Sequence, residues 1–307
     1  MLTYYLTAAA LKAFSASDWT IRAYSSLSGL KRKYLPSDVV LEDKYLDRTK
    51  SFLEIARRYG FISNGMQVFE LGTGWIHWEA LVVSNEADCD CMLYDVVDKR
   101  DLVKLRRVLA ALCNLPTRRR LGFRDDALVP VLRDLASAPN FQAVYNRLGF
   151  SYRLDPTGGL HGIKSDLFDL VISSDVFEHL PYSDIPHILR RLREIMKPDG
   201  WAYHQIVLSD HLRIYAKSVH PKQYLAYDQD HWDRFLSNGV QYINRVQLPE
   251  WRRMIRDAGL EIVEEIPSNL AELSGLPISP CFADTPPEDL ACGVVQFVLR
   301  RSRNSSA

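Results

Sequence analysis

The sequence predicts an α/β protein with a mostly parallel sheet that carries helices on both faces. From about residue 66, short apolar runs alternate with segments of helical periodicity, which is the pattern of βαβ units. The first apolar run ends in a glycine-rich turn, and the next one ends in a carboxylate. A chain of 307 residues, 47% of them hydrophobic, is long enough to bury a full core around such a sheet.

Residues 1–60 are predicted to form a helical extension before the sheet. Phe52, Ile55 and Ala56 recur at helical spacing, and Gly60 is placed to end that helix. The apolar start of the chain has no basic leader, so we do not interpret it as a signal peptide. We expect it to pack on the domain; a peripheral contact with a membrane or a protein partner is the alternative.

The sheet domain is assigned to residues 61–300, and residues 301–307 are predicted to be a flexible tail. Strands are predicted at residues 66–71, 91–95, 170–173, 202–208, 261–265 and 294–299. Before the fourth strand, Ile185, Leu189 and Met196 lie on one face of a predicted helix.

Two segments interrupt this alternation. Residues 101 to about 150 are predicted to be helical and carry three arginines at 118–120, which we expect on a solvated face or against a nucleotide-linked or lipid-linked substrate. Residues 209–250 are rich in His, Tyr, Trp, Asp and Asn. Insertions of this kind usually carry substrate recognition in α/β enzymes.

The overall composition excludes several classes of protein. The 38 basic and 38 acidic side chains cancel, so nucleic acid is not an expected partner. Five cysteines, an odd number without paired spacing, argue against a disulfide framework and favour a reducing compartment, the cytoplasm.

The strongest chemical signal is QVFELGTGW at residues 67–75. Glu70 ends the predicted strand, and Gly72 and Gly74 allow the backbone to turn sharply and a ligand to approach closely. Asp95 ends the next strand, where a carboxylate can accept ribose hydroxyls. A nicotinamide-dependent oxidoreductase requires a third glycine where His77 stands, so a cofactor without a pyrophosphate is favoured.

The chain resembles the class I S-adenosylmethionine-dependent methyltransferases. The resemblance covers residues 65–300 and rests on four motifs in order: ELGTGW, LYD, FDLVISSDVFEHL and LREIMKPDGW. It implies a Rossmann-like sheet of seven strands with a reversed last strand, and S-adenosylmethionine as the cofactor. The adenine-contacting acid of the family is hard to align here, with Asp155 as a candidate.

The resemblance also implies roles for individual residues. Glu70 and the backbone at Gly72 and Gly74 would hold the methionine end of the cofactor, and Asp95 would bind its ribose. Ser174 and Asp175, just after the strand predicted at residues 170–173, would lie beside the methyl donor.

The segments HQIVLSDH, YINR and WRRMIRDAGLEI resemble a bacterial subgroup associated with polysaccharide or small-molecule modification. We therefore expect O-methylation, or less readily N-methylation, of a small-molecule or glycan acceptor. His204, Asn244 and Arg245 are candidates for binding this acceptor, because an Asn–Arg pair can hold a carboxylate or phosphate.

Methyl transfer to a hydroxyl requires a general base, and a histidine suits this task. His211, next to Asp210, is favoured, and His179 and His204 compete with it. No metal is expected, because His204, Asp210 and His211 show no clean ligand spacing. A non-catalytic cofactor-binding or regulatory module of the same fold is the alternative to an enzyme.

Overall fold

The computed structural model describes residues 1–15, 17 and 41–302, so most of the predicted tail lies outside the described residues. Across these residues one sheet carries seven strands, in the order β3-β2-β1-β4-β5-β7-β6. The strands are β1 (Met66–Leu71), β2 (Cys89–Asp95), β3 (Phe150–Leu154), β4 (Phe168–Ser174), β5 (Met196–Val207), β6 (Leu260–Ser268) and β7 (Val294–Arg301).

The direction of the strands confirms the predicted Rossmann-like sheet. Strands β1 to β5 pair with their neighbours in parallel, whereas β7 runs antiparallel to both β5 and β6. The reversed strand is therefore the last one, as the resemblance implied. Strand β3 was not predicted from the sequence; only Phe150 of its residues is buried, so the strand lacks a clear alternation.

Helices flank the sheet. They are α1 (Leu2–Phe14), α2 (Asp43–Tyr59), α3 (Trp78–Ser84), α4 (Leu102–Leu112), α5 (Leu115–Leu121), α6 (Val129–Leu135), α7 (Phe141–Leu148), α8 (Ile185–Ile195), α9 (Leu248–Asp257) and α10 (Pro287–Ala291). Single helical turns lie at Phe177–His179, His211–Ile214, Gln223–Ala226, Gln229–His231, Trp232–Leu236 and Pro280–Phe282. Gly60 ends α2 with a φ of 65°, as predicted.

The sheet has a hydrophobic core on each face because successive strand residues point in opposite directions. On β1, Val68 belongs to the core formed with α2 to α7. The next residue, Phe69, belongs to the core formed with α8 and α9, where Leu189 and Trp251 are buried. The helices thus cover both faces of the sheet, as predicted.

A third cluster joins the start of the chain to residues 209–250. Tyr4, Ala8 and Leu11 of α1 are buried against side chains that include Leu212 and Trp232. This agrees with the interpretation of α1 as a packed helix. Leu2 and Leu6 lie on its other face and are exposed. In the described parts of the chain, no helix is long and apolar enough to cross a membrane.

Arg118 corrects the expectation that the arginines at 118–120 lie on a solvated face. Its side chain is fully buried, with Nε donating to Asp126 Oδ1 at 2.8 Å and Nη1 to Asn85 Oδ1 at 2.6 Å. Arg119 and Arg120 are exposed. A buried guanidinium needs acceptors on several sides, and here these come from a loop and from the end of α3.

Candidate active site

A cavity of about 670 Å³ opens at the carboxyl ends of β1, β2 and β4. From β1 the strand order continues in one direction to β2, and from β4 it continues in the other direction to β5. Ligands bind at such a switch point in open α/β sheets, and cavities of roughly 300–1,000 Å³ suit small molecules and cofactors.

The glycine turn after β1 forms one wall of this cavity. Gly72 and Gly74 have φ angles of 71° and 60°, which glycine adopts readily. The Gly72 N–H donates to the carbonyl of Tyr94 at 2.8 Å. A Cβ at Gly72 would lie 2.4 Å from Cγ2 of Val176, so the turn has no room for a side chain there.

Glu70 lies behind the turn, outside the lining of the cavity. Its Oε2 accepts hydrogen bonds from Thr73 Oγ1 at 3.1 Å and from the Ala80 N–H at 3.2 Å. Burial, and then the nearby carboxylate of Glu79, raise the pKa of Glu70 well above its usual range. The side chain therefore ties the glycine turn to α3.

Asp95 lines the cavity beside the turn. Its Oδ2 accepts from the Gly74 N–H at 3.0 Å, and its Oδ1 accepts from the Val96 and Val97 N–H groups at 2.8 and 3.3 Å. A carboxylate offers about four acceptor positions, so capacity remains for a ligand hydroxyl. The carboxylate is thus held rigidly by backbone donors and faces the cavity.

Ser174, the last residue of β4, and Asp175, which follows it, lie on the opposite wall. Asp175 Oδ1 accepts from Gln205 Nε2 at 2.9 Å, and Oδ2 accepts from Arg48 Nη1 at 3.0 Å. The buried Oγ of Ser174 has no hydrogen-bond partner among the described residues. A buried hydroxyl without a partner is costly, which fits a polar ligand at this position.

Residues 43–265 of the sequence match the model of a family described as "Methyltransferase domain". The chain belongs to this family. It is a methyltransferase, and together with the class I sheet this makes S-adenosylmethionine its cofactor. The glycine turn, the rigid Asp95 and the unpartnered Ser174 hydroxyl fit such a group, since they offer backbone room and polar contacts around a cavity of suitable size.

Several solved structures are similar to the chain. A 1,6-didemethyltoxoflavin-N1-methyltransferase from Burkholderia thailandensis is 13% identical, with 94% of this chain and 91% of that chain covered and a TM-score of 0.46. S-adenosylmethionine-dependent methyltransferases from Mesorhizobium loti and Clostridium acetobutylicum are 14% and 10% identical, with TM-scores of 0.47 for both. They cover 83% and 91% of this chain, and 100% and 99% of their own. No curated relative matches the sequence.

Two of the methyltransferase's predicted histidines lie together at the cavity. His179 is in its wall, and His211 lies behind it with the two ring centroids 5.0 Å apart. Nδ1 of His179 is 2.7 Å from the carbonyl of Tyr242, and Nδ1 of His211 is 3.1 Å from that of Ser209. Desolvation lowers the pKa of both rings, that of His211 to about 4 with a further contribution from His179.

Four other predicted residues lie outside the cavity lining. Buried His204 contacts Ser173 Oγ through Nδ1 at 2.8 Å. Asp210 accepts from the hydroxyl of Tyr4 at 2.6 Å and thereby anchors α1. Asn244 donates to the carbonyls of Phe177 and Leu180. These contacts hold the backbone around the histidines.

The fourth residue, Arg245, is also occupied by the protein itself. Its Nη1 donates to the carbonyls of Tyr224 and Tyr227, and its Nη2 donates to Gln229 Oε1. The guanidinium also stacks on Trp232, with 4.9 Å between Cζ and the ring centroid. The guanidinium therefore holds separate parts of residues 209–250 together.

Sequence reasoning missed Arg48, which lies in α2 and lines the cavity. It pairs with Glu79 at 2.8 Å and with Asp175 at 3.0 Å, and so connects α2 and α3 to the tip of β4. One arginine among the charged residues of an amphipathic helix gives no local signal of this role. His77, in contrast, was noticed as the missing glycine; it is buried between Thr73 Oγ1 and the hydroxyl of Tyr145.

Proposed function

We propose that the protein transfers a methyl group to a hydroxyl oxygen of a small-molecule or glycan acceptor. The observation that carries the proposal is the position of His179, which faces the same cavity as the glycine turn and Asp95. An acceptor held at His179 would share one cavity with the cofactor, as an in-line displacement requires.

We assign the cofactor contacts to both walls of the cavity. The backbone at Gly72 and Gly74 and the carboxylate of Asp95 would bind the methionine and ribose ends, while Glu70 acts through the turn that it holds. Ser174 and Asp175 would lie near the sulfonium, which supplies an already activated methyl group when bound. Their positions in the cavity wall support this assignment.

We assign His179 and His211 to the part of the cavity that binds the acceptor. A neutral imidazole can take a proton, and the lowered pKa values keep both rings neutral near pH 7. His179 lines the cavity, so we assign it direct contact with the acceptor hydroxyl, with His211 beside it. Asp210 would position His211 through the backbone that both share.

The cofactor assignment is tested by calorimetric titration with S-adenosylmethionine and S-adenosylhomocysteine. We expect Asp95→Ala to weaken binding by about 1–3 kcal/mol, because the ribose hydroxyls and three backbone N–H groups lose their acceptor. Asp90→Ala, an exposed acid on the same strand, is the matched control and should bind like the wild type. Unchanged affinity in Asp95→Ala would refute the ribose assignment.

The acceptor assignment is tested by release of S-adenosylhomocysteine with a panel of hydroxylated sugars and small molecules. His179→Gln should lower turnover by about 10²–10⁴ without changing cofactor affinity, because the acceptor hydroxyl would lose its general base. Full turnover in this variant would remove His179 from the reaction.

We also propose a cytoplasmic location. All five cysteines are free thiols, and Cys89 and Cys91 form no disulfide although their sulfurs are 3.6 Å apart. Free thiols of this kind persist in a reducing compartment.

A further inference from the structure

Glu178 carries a buried carboxylate without a partner. The residue is 2% exposed, and neither Oε1 nor Oε2 has a hydrogen-bond partner within the described residues. An isolated carboxylate is expensive to bury, since it loses its hydration and gains nothing in return. Both carboxylate oxygens of Glu178 are therefore available to bind a cation.

Both histidines beside it are fixed in the form that binds metal ions. A carbonyl oxygen only accepts hydrogen bonds, so Nδ1 of His179 must donate to Tyr242 and Nδ1 of His211 must donate to Ser209. Each neutral ring then keeps a free lone pair on Nε2. A hydrogen bond from the second ring nitrogen to a carbonyl is the usual support of a metal-binding histidine.

The three side chains also lie close together. One potential ligand atom from each of Glu178, His179 and His211 lies within 4.8 Å of the others. Imidazole nitrogen and carboxylate oxygen bind zinc at about 2.0–2.2 Å, so ligand atoms on one ion lie within about 4.4 Å of each other. Binding of a shared ion therefore requires the three side chains to move slightly closer together.

We propose that Glu178, His179 and His211 bind a divalent cation at the acceptor side of the cavity. Two imidazoles and one carboxylate suit a borderline ion such as Zn²⁺, Co²⁺ or Mn²⁺ better than Ca²⁺ or Mg²⁺. This site differs from the residues first considered, because His204 and Asp210 are engaged by Ser173 and Tyr4.

The neighbouring acid Asp175 does not belong to this group of candidate ligands. Both of its oxygens accept hydrogen bonds, one from Gln205 and one from Arg48. Three protein ligands leave further positions of the ion open, as in catalytic sites. Since His179 lines the cavity, these positions face the acceptor.

The role of the ion rests on the proposed function and changes the task of the histidines. The cation would bind an acceptor with two adjacent oxygens and lower the pKa of one hydroxyl. The hydroxyl proton passes to water. The electron pair that remains on this oxygen forms the bond to the methyl carbon, and the electron pair of the broken C–S bond stays on sulfur. His179 is then a ligand of the ion, and a separate histidine base is unnecessary.

The test is a titration of chelator-treated, full-length protein with Co²⁺, followed by calorimetry and visible absorption. We expect one cation per chain with a ligand-field spectrum of nitrogen and oxygen donors. Glu178→Gln and His211→Gln should each weaken Co²⁺ binding by about tenfold or more. His187→Gln, an exposed histidine on α8, is the matched control and should bind Co²⁺ like the wild type.

Each variant is also titrated with S-adenosylhomocysteine, which separates the two proposals. Glu178→Gln with normal cofactor binding and weak Co²⁺ binding supports the metal site. Wild-type Co²⁺ affinity in Glu178→Gln and His211→Gln, or no Co²⁺ binding by the wild type, overturns it. Loss of cofactor binding by the wild type would instead overturn the proposed function, whatever the result with Co²⁺.

Discussion

The absence of a side chain at Gly72 shapes one wall of the cavity. The residue combines a φ of 71° with a neighbour, Val176, whose Cγ2 would lie 2.4 Å from an added Cβ. A non-glycine residue in the left-handed region is strained by about 1–3 kcal/mol even without a clash. The turn that lines the cavity thus has two separate reasons to require glycine.

We predict that Gly72→Ala weakens the binding of S-adenosylhomocysteine by about tenfold or more, which corresponds to ~1.4 kcal/mol or more. The displaced turn would also move the backbone around Gly74. Gly60→Ala has a similar φ of 65° and open space around its Cβ, so it should lose stability but keep its affinity. Calorimetry measures the affinity and thermal unfolding measures the stability.

A second substitution separates the effect of the steric clash with Val176 from the effect of the backbone strain at position 72. Gly72→Ala combined with Val176→Ala should recover part of the lost affinity, because the shorter side chain removes the close contact. Wild-type affinity in the single Gly72→Ala variant would show that the turn does not touch the cofactor.

For individual residues, roles with a local signal in the sequence could be predicted. Contacts between residues far apart in the sequence could not. Gly72 and Asp95 could be found because Gly72 directly follows one strand and Asp95 ends the next, at a recognisable spacing. The burial of Arg118 depends on Asn85, which is 33 positions away. The exposure of a charged side chain is decided by such partners, and its own neighbours in sequence do not reveal them.

Among the elements, α1 depends on a buried acid for its position. Tyr4 donates to Asp210 at 2.6 Å, and burial raises the pKa of Asp210 to about 6. A raised folded-state pKa means that the folded protein holds this proton more tightly than the unfolded chain. The stability from this group is therefore complete below about pH 4 and is lost as the pH rises through about 6.

We predict that Asp210→Asn removes this part of the pH dependence. The free energy of unfolding of the variant, relative to the wild type, should rise by roughly 2–3 kcal/mol between about pH 4 and 7. Urea unfolding at a series of pH values measures it. Parallel curves for the two proteins would show that Asp210 titrates normally.

Elements with strong periodicity were predicted and weakly patterned ones were not. The apolar face of α8 was evident, although Met196 belongs to β5 instead of the helix. Strand β3 escaped detection because its residues after Phe150 are partly or fully exposed. A strand at the edge of a sheet has a neighbouring strand on one side only. The alternation of apolar and polar residues along it is therefore less regular.

On the scale of the whole molecule, the strand order brings three strand ends to one cavity. The carboxyl ends of β1, β2 and β4 lie at the same edge of the sheet because right-handed βαβ connections make these strands parallel. The alternation of the sequence predicts such connections. The cluster formed by residues 209–250 and α1 has instead no counterpart in the sequence pattern. The position of the strand ends was therefore predictable, and the packing of residues 209–250 was not.

We predict that the cofactor product stabilises the entire fold. S-adenosylhomocysteine at ~100 times its Kd should add about 2.7 kcal/mol, which raises the Tm by roughly 5–10 °C for a domain of this size. Differential scanning calorimetry measures the shift. Gly72→Ala, at the same ligand concentration, should show a smaller one; an equal shift would contradict the assignment of the turn.

The contact between α1 and residues 209–250 has a consequence for synthesis of the chain. Tyr4 and Asp210 are 206 positions apart, so at about 5–20 residues per second the ribosome needs roughly 10–40 s to make the second after the first. During this interval the apolar face of α1 has not met Leu212 or Trp232 and is open to chaperones. Helix α1 is thus packed in its final position long after it has been translated.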